Sequence, residues 1–183
     1  MNKLPYQKLK EYLHADVCGL DHRFTWDRVI RRYIKNPNIR FIFWWRIASY
    51  LFQKGGKRNT KRAYKINRKL TARYGIELEL GAEIAEGITF AHTTGVVISR
   101  SCIIGKNFHI RQNATIGVKS NSHLSGGKII LGDNVTIGAN ACIIGDNLRI
   151  GNNVTIGAMA FVNQDIPDDA VCYTSHTLCV KSA

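Results

Sequence analysis

From residue 78 onward, aliphatic or aromatic side chains recur every six positions. The marks are Leu78, Ile84, Phe90 and Val96, then Ile98, Ile104, Ile110 and Ile116, then Leu131, Ile137 and Ile143, then Ile150, Ile156 and Val162. The windows between them are rich in Gly, Asn, Asp, Ala and Thr, as in "LGDNVT", "IGANAC" and "IGNNVT". A sustained step of six fits neither the period of a helix nor that of a simple strand. It is the signature of a parallel β-helix built from hexapeptides, in which each hexamer supplies one short strand and a corner. The mark points into a narrow triangular core, and Gly and Asn at the corners tolerate left-handed backbone.

Three hexamers close one coil, so residues 78–166 predict roughly four to five stacked coils, above the minimum of about three. The phase slips at 96/98 and 143/150 read as small corner irregularities. A larger break separates Ile116 from Leu131, where the step is 15 residues and the segment is "GVKSNSHLSGGKI". Such a polar, glycine-bearing insert leaves the prism as an extended loop, here placed at 118–130.

Residues 1–75 lack this period. "WDRVIRRYI", "IRFIFWWRIASYLF" and "KRAYKINRKLTARY" space apolar residues by three and four with Arg and Lys between, which predicts short helices. Asn36-Pro37 and Gly55-Gly56 mark helix boundaries. The fold expected is therefore mainly β. It is a left-handed parallel β-helix over 76–166, preceded by a basic helical region over 1–75 and followed by a tail over 167–183. An open-ended prism needs capping, a role for which the N-terminal helices are candidates.

Charge sharpens this division. The chain carries +13, but residues 1–75 hold 19 Lys/Arg against 4 Asp/Glu while residues 76–183 hold 7 against 9. A basic part of this kind meets phosphates, an acidic membrane surface or an acidic ligand, or is a solvated helical face. The aromatic, basic segment containing Phe41, Phe43, Trp44, Trp45 and Phe52 either lies on a membrane surface or packs against a neighbouring helix or subunit. No nucleic-acid module is recognisable, so nucleic acid is not expected as a partner. No run approaches the ~18 apolar residues of a membrane span, and the first residues lack the apolar stretch of a secretory signal, which points to the cytoplasm. Cys18, Cys102, Cys142, Cys172 and Cys179 are odd in number and show no C-x-x-C spacing, so neither a metal site nor a disulfide framework is suggested.

Within the repeat, "FAHTTG" at 90–95 places His92 in a run of small and hydroxyl side chains. A neutral imidazole suits abstraction of a hydroxyl proton, since its unperturbed pKa lies near working pH. These residues resemble the left-handed β-helix acyltransferases, in particular the serine acetyltransferase branch that includes capsule and exopolysaccharide O-acetyltransferases. "AHTTG" looks like that branch's D-H-A-T-G motif, which makes His92 the general base. "IELEL" at 76–80 stands where the branch has V-D-I-H-P, which puts Glu77 in place of the aspartate orienting the imidazole, with Glu79 and Glu83 as rivals. "HADV" resembles C-D-I-Q and places Asp16 as a substrate contact, and "WRIASYLF" resembles Y-R-I-G-H-W-L.

By the same resemblance the donor is acetyl-CoA, with Gly117, Lys119, Ala139 and Ala158 beside it, and Lys128 another candidate for its phosphates. Thr93 and Thr94 lie at the acceptor and near the oxyanion, and His123 of the loop joins the substrate site. A homotrimer is implied, because the acyl-CoA groove lies between adjacent prisms. Two departures bear on the acceptor. Ala91 stands where the branch has an aspartate, and Gly126 and Gly127 stand where it has an arginine and a histidine. Each lost charge-assisted contact is worth roughly 1.5–3 kcal/mol. The expectation drawn is an acetyl-CoA-dependent O-acetyltransferase acting on a sugar hydroxyl of a surface polysaccharide or its precursor, with contact at the inner face of the membrane through the basic part. Serine O-acetylation for cysteine synthesis is the alternative reading, and a non-catalytic scaffold or nucleic-acid-binding protein a minor one.

Overall fold

A computed structural model of the chain describes residues 5–19, 21–119 and 126–175. The repeat folds as three parallel sheets that form the faces of a left-handed prism. The first face is built from β1 (Glu77–Leu78), β4 (Val97–Ile98), β7 (Thr115–Gly117), β10 (Cys142–Ile144) and β13 (Phe161–Val162). The second holds β2 (Glu83–Ile84), β5 (Cys102–Ile104), β8 (Ile129–Leu131) and β11 (Leu148–Ile150). The third holds β3 (Thr89–Phe90), β6 (His109–Ile110), β9 (Thr136–Ile137), β12 (Thr155–Ile156) and β14 (Val171–Cys172).

Register stacks like on like. Leu78, Ile98, Ile116, Ile143 and Val162 form one inward column, and Ile84, Ile104, Leu131, Ile150 and Ile166 a second. The third runs Phe90, Ile110, Ile137, Ile156 and Cys172. Branched side chains whose β-carbons point inward at every coil bury one continuous core, the main stabilising term of a solenoid. The six-residue count through Val96 needs one correction. The strand beneath Leu78 carries Ile98 as its inward residue, while Val96 fills the buried corner position two residues earlier. The prism also continues past residue 166, because β14 pairs with β12. The long insert spans 118–128, between the ends of β7 and β8.

Left-handed backbone at the corners falls mostly on asparagine: Asn107, Asn113, Asn134, Asn140, Asn147 and Asn153 have φ of 54–58°. Their short amides support αL locally and also form a ladder, with Asn107 donating to Asn134, Asn134 to Asn153 and Asn153 to Asp169 at 2.8–3.0 Å. Several corner glycines serve a different end. A Cβ on Gly132 would lie 2.8 Å from the Asn152 backbone nitrogen, so close coil-to-coil approach, rather than handedness, requires glycine there.

The N-terminal region forms α1 (Pro5–Leu13), a π-helical turn (His14–Cys18), α2 (Trp26–Lys35), α3 (Pro37–Lys54) and α4 (Lys57–Tyr74). Thr25 caps α2 by accepting from the Arg28 N–H, and Pro37 opens α3 where its missing N–H costs nothing. Phe41 and Trp45 of α3 are buried in the core, so this aromatic segment packs inward; only Trp44 retains substantial exposure, at 39%.

The first coil has no preceding coil to receive its strand carbonyls, and helix side chains take their place. Trp45 Nε1 and Asn67 Nδ2 donate to the Leu78 carbonyl at 3.3 and 3.0 Å. Arg46 donates to the Ile84 and Ala85 carbonyls, both at 2.6 Å, and Asn38 to that of Phe90 at 3.3 Å. One acceptor on each face is thereby satisfied, as burial of a sheet edge demands. Asp16 completes the cap: its carboxylate accepts from Arg46 Nε at 2.7 Å and from the Gly87 N–H at 2.6 Å, with no side-chain exposure.

Candidate functional site

The phase slip at 96/98 is where the candidate site is built. Between third and first faces, the lower coils turn in four residues: 111–114, 138–141 and 157–160. The first coil takes six, 91–96, and the two extra residues lift His92 and Thr93 out of the ladder. The loop is anchored below by the Asn113 N–H donating to the Thr94 carbonyl at 2.9 Å, and beside it by the Gly95 N–H donating to Gly75 at 2.8 Å. Its base is held by Phe90, whose ring meets Phe41 edge-on at 5.6 Å. His92 and Thr94 are exposed and Thr93 is half-buried, so the imidazole projects from a braced turn.

The same edge continues downward. Asn140 N–H donates to the Gln112 carbonyl at 3.0 Å and Met159 N–H to that of Ala139 at 2.9 Å. His92, Gln112, Ala139 and Ala158 therefore stand on successive coils of one prism edge, and the small residues at 139 and 158 leave it low. The exposed side chains Met159, Phe161, Val171 and Tyr173 flank its far end.

Glu77 lies on β1 in register with Val97, exposed, two residues from the Gly75 carbonyl that ties down the His92 loop. No hydrogen bond joins it to His92 among the described residues. Its rivals are placed differently: Glu79 is bound by Arg100, and Glu83 faces outward on the second face. Burial alone would raise the Glu79 carboxyl, but hydrogen bonds from Arg100 hold it below the usual glutamate range.

The remaining expected residues separate. Gly117 and Lys119 lie at the corner between first and second faces, across the width of the first face from His92. Lys128, at the loop's return, shares that corner, and its N–H donates to Asn147. His123 lies outside the described residues. Asp16, expected as a substrate contact, sits at the third edge with its carboxylate fully buried and both oxygens occupied. Burial pushes that carboxyl above the ordinary range, with Arg46 and the Gly87 and Ile88 N–H groups pulling against it. Its position makes it a tie between helices and prism.

Two groups near the edge escaped the sequence reading. Gln112 Oε1 is the one buried side-chain polar atom without a partner among the described residues, an acceptor left open one coil below the His92 loop. His109 faces outward on β6, its Nδ1 2.8 Å from Thr89 Oγ1. Burial, then the Arg111 charge, lowers its pKa below the ordinary histidine value. Only the outward position in "FHIRQN" would have signalled either. Cys18 and Cys102 are buried and Cys142 and Cys172 half-buried, all as free thiols. Among the described residues no cluster has the makings of a metal site.

No family model matches the chain. Curated proteins do: the serine acetyltransferase of Mycobacterium tuberculosis is 34% identical over 107 residues, covering 57% of this chain and 44% of the relative. The chloroplastic serine acetyltransferase 1 of Arabidopsis thaliana is 35% identical over 81 residues, covering 44% of this chain and 25% of the relative. The chain thus spans less than half the length of these relatives. Among solved structures, serine acetyltransferase isoform 3 of Entamoeba histolytica in complex with cysteine has a TM-score of 0.75 at 24% identity, covering 98% of this chain and 61% of that one. The Neisseria gonorrhoeae serine acetyltransferase in complex with serine has a TM-score of 0.73 at 26% identity, covering 90% and 66%.

These comparisons correct the expected acceptor. The relatives are serine acetyltransferases, and the solved structures hold serine or cysteine. The reading toward a polysaccharide hydroxyl rested on side chains absent at Ala91, Gly126 and Gly127. An absent anchor states what a site lacks and leaves open what replaces it. By repeat, prism and sequence likeness, the chain is similar to the serine acetyltransferases, and its fold is the hexapeptide-repeat left-handed β-helix that the solved structures share.

Proposed function

We propose that the chain is an acetyl-CoA-dependent serine O-acetyltransferase. The observation that carries this reading is the two-residue insertion that raises His92 from a prism edge otherwise kept low by Ala139 and Ala158, in a chain similar to serine acetyltransferases. His92 takes the proton of the serine hydroxyl as the oxygen attacks the thioester carbonyl. The tetrahedral adduct then collapses, the carbon–sulfur bond breaks, and the imidazolium returns its proton to the departing thiolate. Thr93, Thr94 and the backbone N–H groups of the loop are the donors nearest the developing oxyanion. Glu77 acts as the carboxylate that favours the imidazolium.

Acetyl-CoA lies along the edge of Ala139 and Ala158. Gly117, Lys119, Lys128 and His123 then serve the site of a neighbouring prism, since Gly117, Lys119 and Lys128 stand at a different corner from their own His92. That division of labour supports a homotrimer, whose apolar contact is supplied by Met159, Phe161, Val171 and Tyr173. No described helix is long and apolar enough to cross a membrane, which accords with a cytoplasmic enzyme.

The test is thiol release from acetyl-CoA with L-serine, comparing wild type and His92→Ala. Serine-dependent release that falls by about 10²–10⁴ in the variant supports the assignment. Undiminished release by His92→Ala, or none with serine from a folded trimer, overturns it.

A further inference from the structure

The basic charge of the helical region is concentrated on one element. Helix α4, "KRNTKRAYKINRKLTARY", carries eight Lys/Arg and no acid, and all eight side chains are exposed. Among the described residues none of them is paired with a carboxylate; the ion pairs run Arg31–Asp27, Arg46–Asp16, Arg100–Glu79 and Lys106–Glu86. A helix with eight unpaired like charges is maintained against its own repulsion by packing to α3, and it presents a strong positive field.

An apolar stripe adjoins this field. Trp26, Ile30 and Ile34 of α2, spaced by four, are 51%, 56% and 61% exposed, while Val29 of the same helix is buried. The stripe leads into a cavity of about 410 Å³ where α2, α3 and α4 meet. Tyr33, Trp44 and Leu70 form its apolar wall, and Arg40, Lys69 and Arg73 its charged rim. Trp44 donates to the Tyr33 hydroxyl at 3.0 Å, which fixes the indole at the mouth. No acid lines this cavity.

From this juxtaposition we propose that the face made by α2, the start of α3 and α4 docks on a lipid surface carrying anionic headgroups. Trp26, Ile30, Ile34 and Trp44 enter the boundary between headgroups and acyl chains, where indoles and isoleucines lose contact with water, and the α4 cations lie over the phosphates. Charge complementarity selects this occupant. A second copy meeting the same face would set one +8 helix against another. A nucleic acid would satisfy the cations but leave the isoleucine stripe exposed. The inference is independent of the acceptor used at His92.

The full chain is to be sedimented with vesicles of phosphatidylcholine alone and of phosphatidylcholine mixed with phosphatidylglycerol, with tryptophan emission read in parallel. Expected are binding to the acidic vesicles only, a blue shift of the emission, and weakening with salt. Lys69→Glu with Arg73→Glu is expected to weaken binding at least tenfold, at about fivefold for each cation removed from an acidic surface. Ile30→Asp with Ile34→Asp is expected to lose the blue shift and most of the binding. Because all four side chains are exposed, the variants keep the wild-type circular dichroism and melting temperature, which is verified first. Equal binding to both vesicle types, or variants that bind as wild type, would overturn the proposal. So would absence of vesicle binding combined with salt-sensitive capture of duplex DNA, or with self-association that the isoleucine substitutions abolish.

Discussion

Arg46 is the residue whose removal tests the account of the cap most severely. Its guanidinium makes three bonds of 2.6–2.7 Å, two to first-coil carbonyls and one to Asp16, and lies 4.1 Å over the Tyr12 ring. Only 2% of the residue is exposed. In Arg46→Met the aliphatic volume is largely kept, but the Asp16 charge is stranded in a site with no solvent access, and the Ile84 and Ala85 carbonyls lose their donors. Breaking a buried pair from one side costs about 3–5 kcal/mol, a large share of the ~5–15 kcal/mol by which domains are stable. At roughly 2–4 °C per kcal/mol for a chain of this size, the melting temperature falls by about 6–20 °C. Asp16→Asn added to Arg46→Met removes the stranded charge while preserving an acceptor for the Gly87 N–H, so the double variant is more stable than Arg46→Met alone by about 1–3 kcal/mol. Calorimetry and near-ultraviolet circular dichroism on wild type and the two variants read both quantities. A loss below 1 kcal/mol in Arg46→Met, or a double variant no better than the single, would show that the cap does not depend on this pair and refute the reasoning.

Gln112→Met removes the orphan acceptor, and by thermal denaturation it is expected to leave stability unchanged or raise it by about 1 kcal/mol. In Gly138→Ala the new Cβ would stand 2.8 Å from Ala158 Cα, and the backbone of the next coil cannot yield cheaply, so a loss of about 1–3 kcal/mol is expected by thermal denaturation. Burial pushes the Cys102 thiol up to about 12, so under native conditions an alkylating reagent at mildly alkaline pH leaves this cysteine unmodified and labels it only after unfolding, as peptide mass mapping would show. Arg100 holds the Glu79 carboxyl below its unfolded value, so its stabilisation is present above the unfolded glutamate pKa of ~4.3 and disappears as pH falls through the folded one. Wild type should exceed Glu79→Gln by about 0.5 kcal/mol at neutral pH, this half-exposed pair being worth little, and the difference should vanish in acid.

The prism was legible because its cause is local and repeated: an inward aliphatic every six residues and a short amide at the corner leave the chain few other ways to bury its core. Helix boundaries at Asn36-Pro37 and Gly55-Gly56 were legible for the same reason, since proline and glycine act on their own backbone. The slip at 96/98 was visible but its meaning was not, because a two-residue excess counts as noise until the coils below show that the others turn in four. Asp16 illustrates a second limit. Its partner Arg46 is 30 residues away and Gly87 is 71 away, so only the assembled fold distinguishes a buried tie from a ligand contact. The α3 aromatics were ambiguous for a related reason: the period fits both an inward and an outward face, and packing on Phe90 and Tyr74 decided it. The acceptor was misread because it was inferred from residues that are missing, which constrains a site far less than residues that are present.

The satisfied carbonyls of the first coil also bear on what the chain does in a crowd. A stack of parallel strands is a one-dimensional crystal, and every uncovered end is a growth face onto which another stack can add at the same 4.8 Å spacing. Trp45, Asn67, Arg46 and Asn38 occupy that face on all three sides, so the helices act as a chain terminator. Loosening any of them would reopen that face to the addition of another stack.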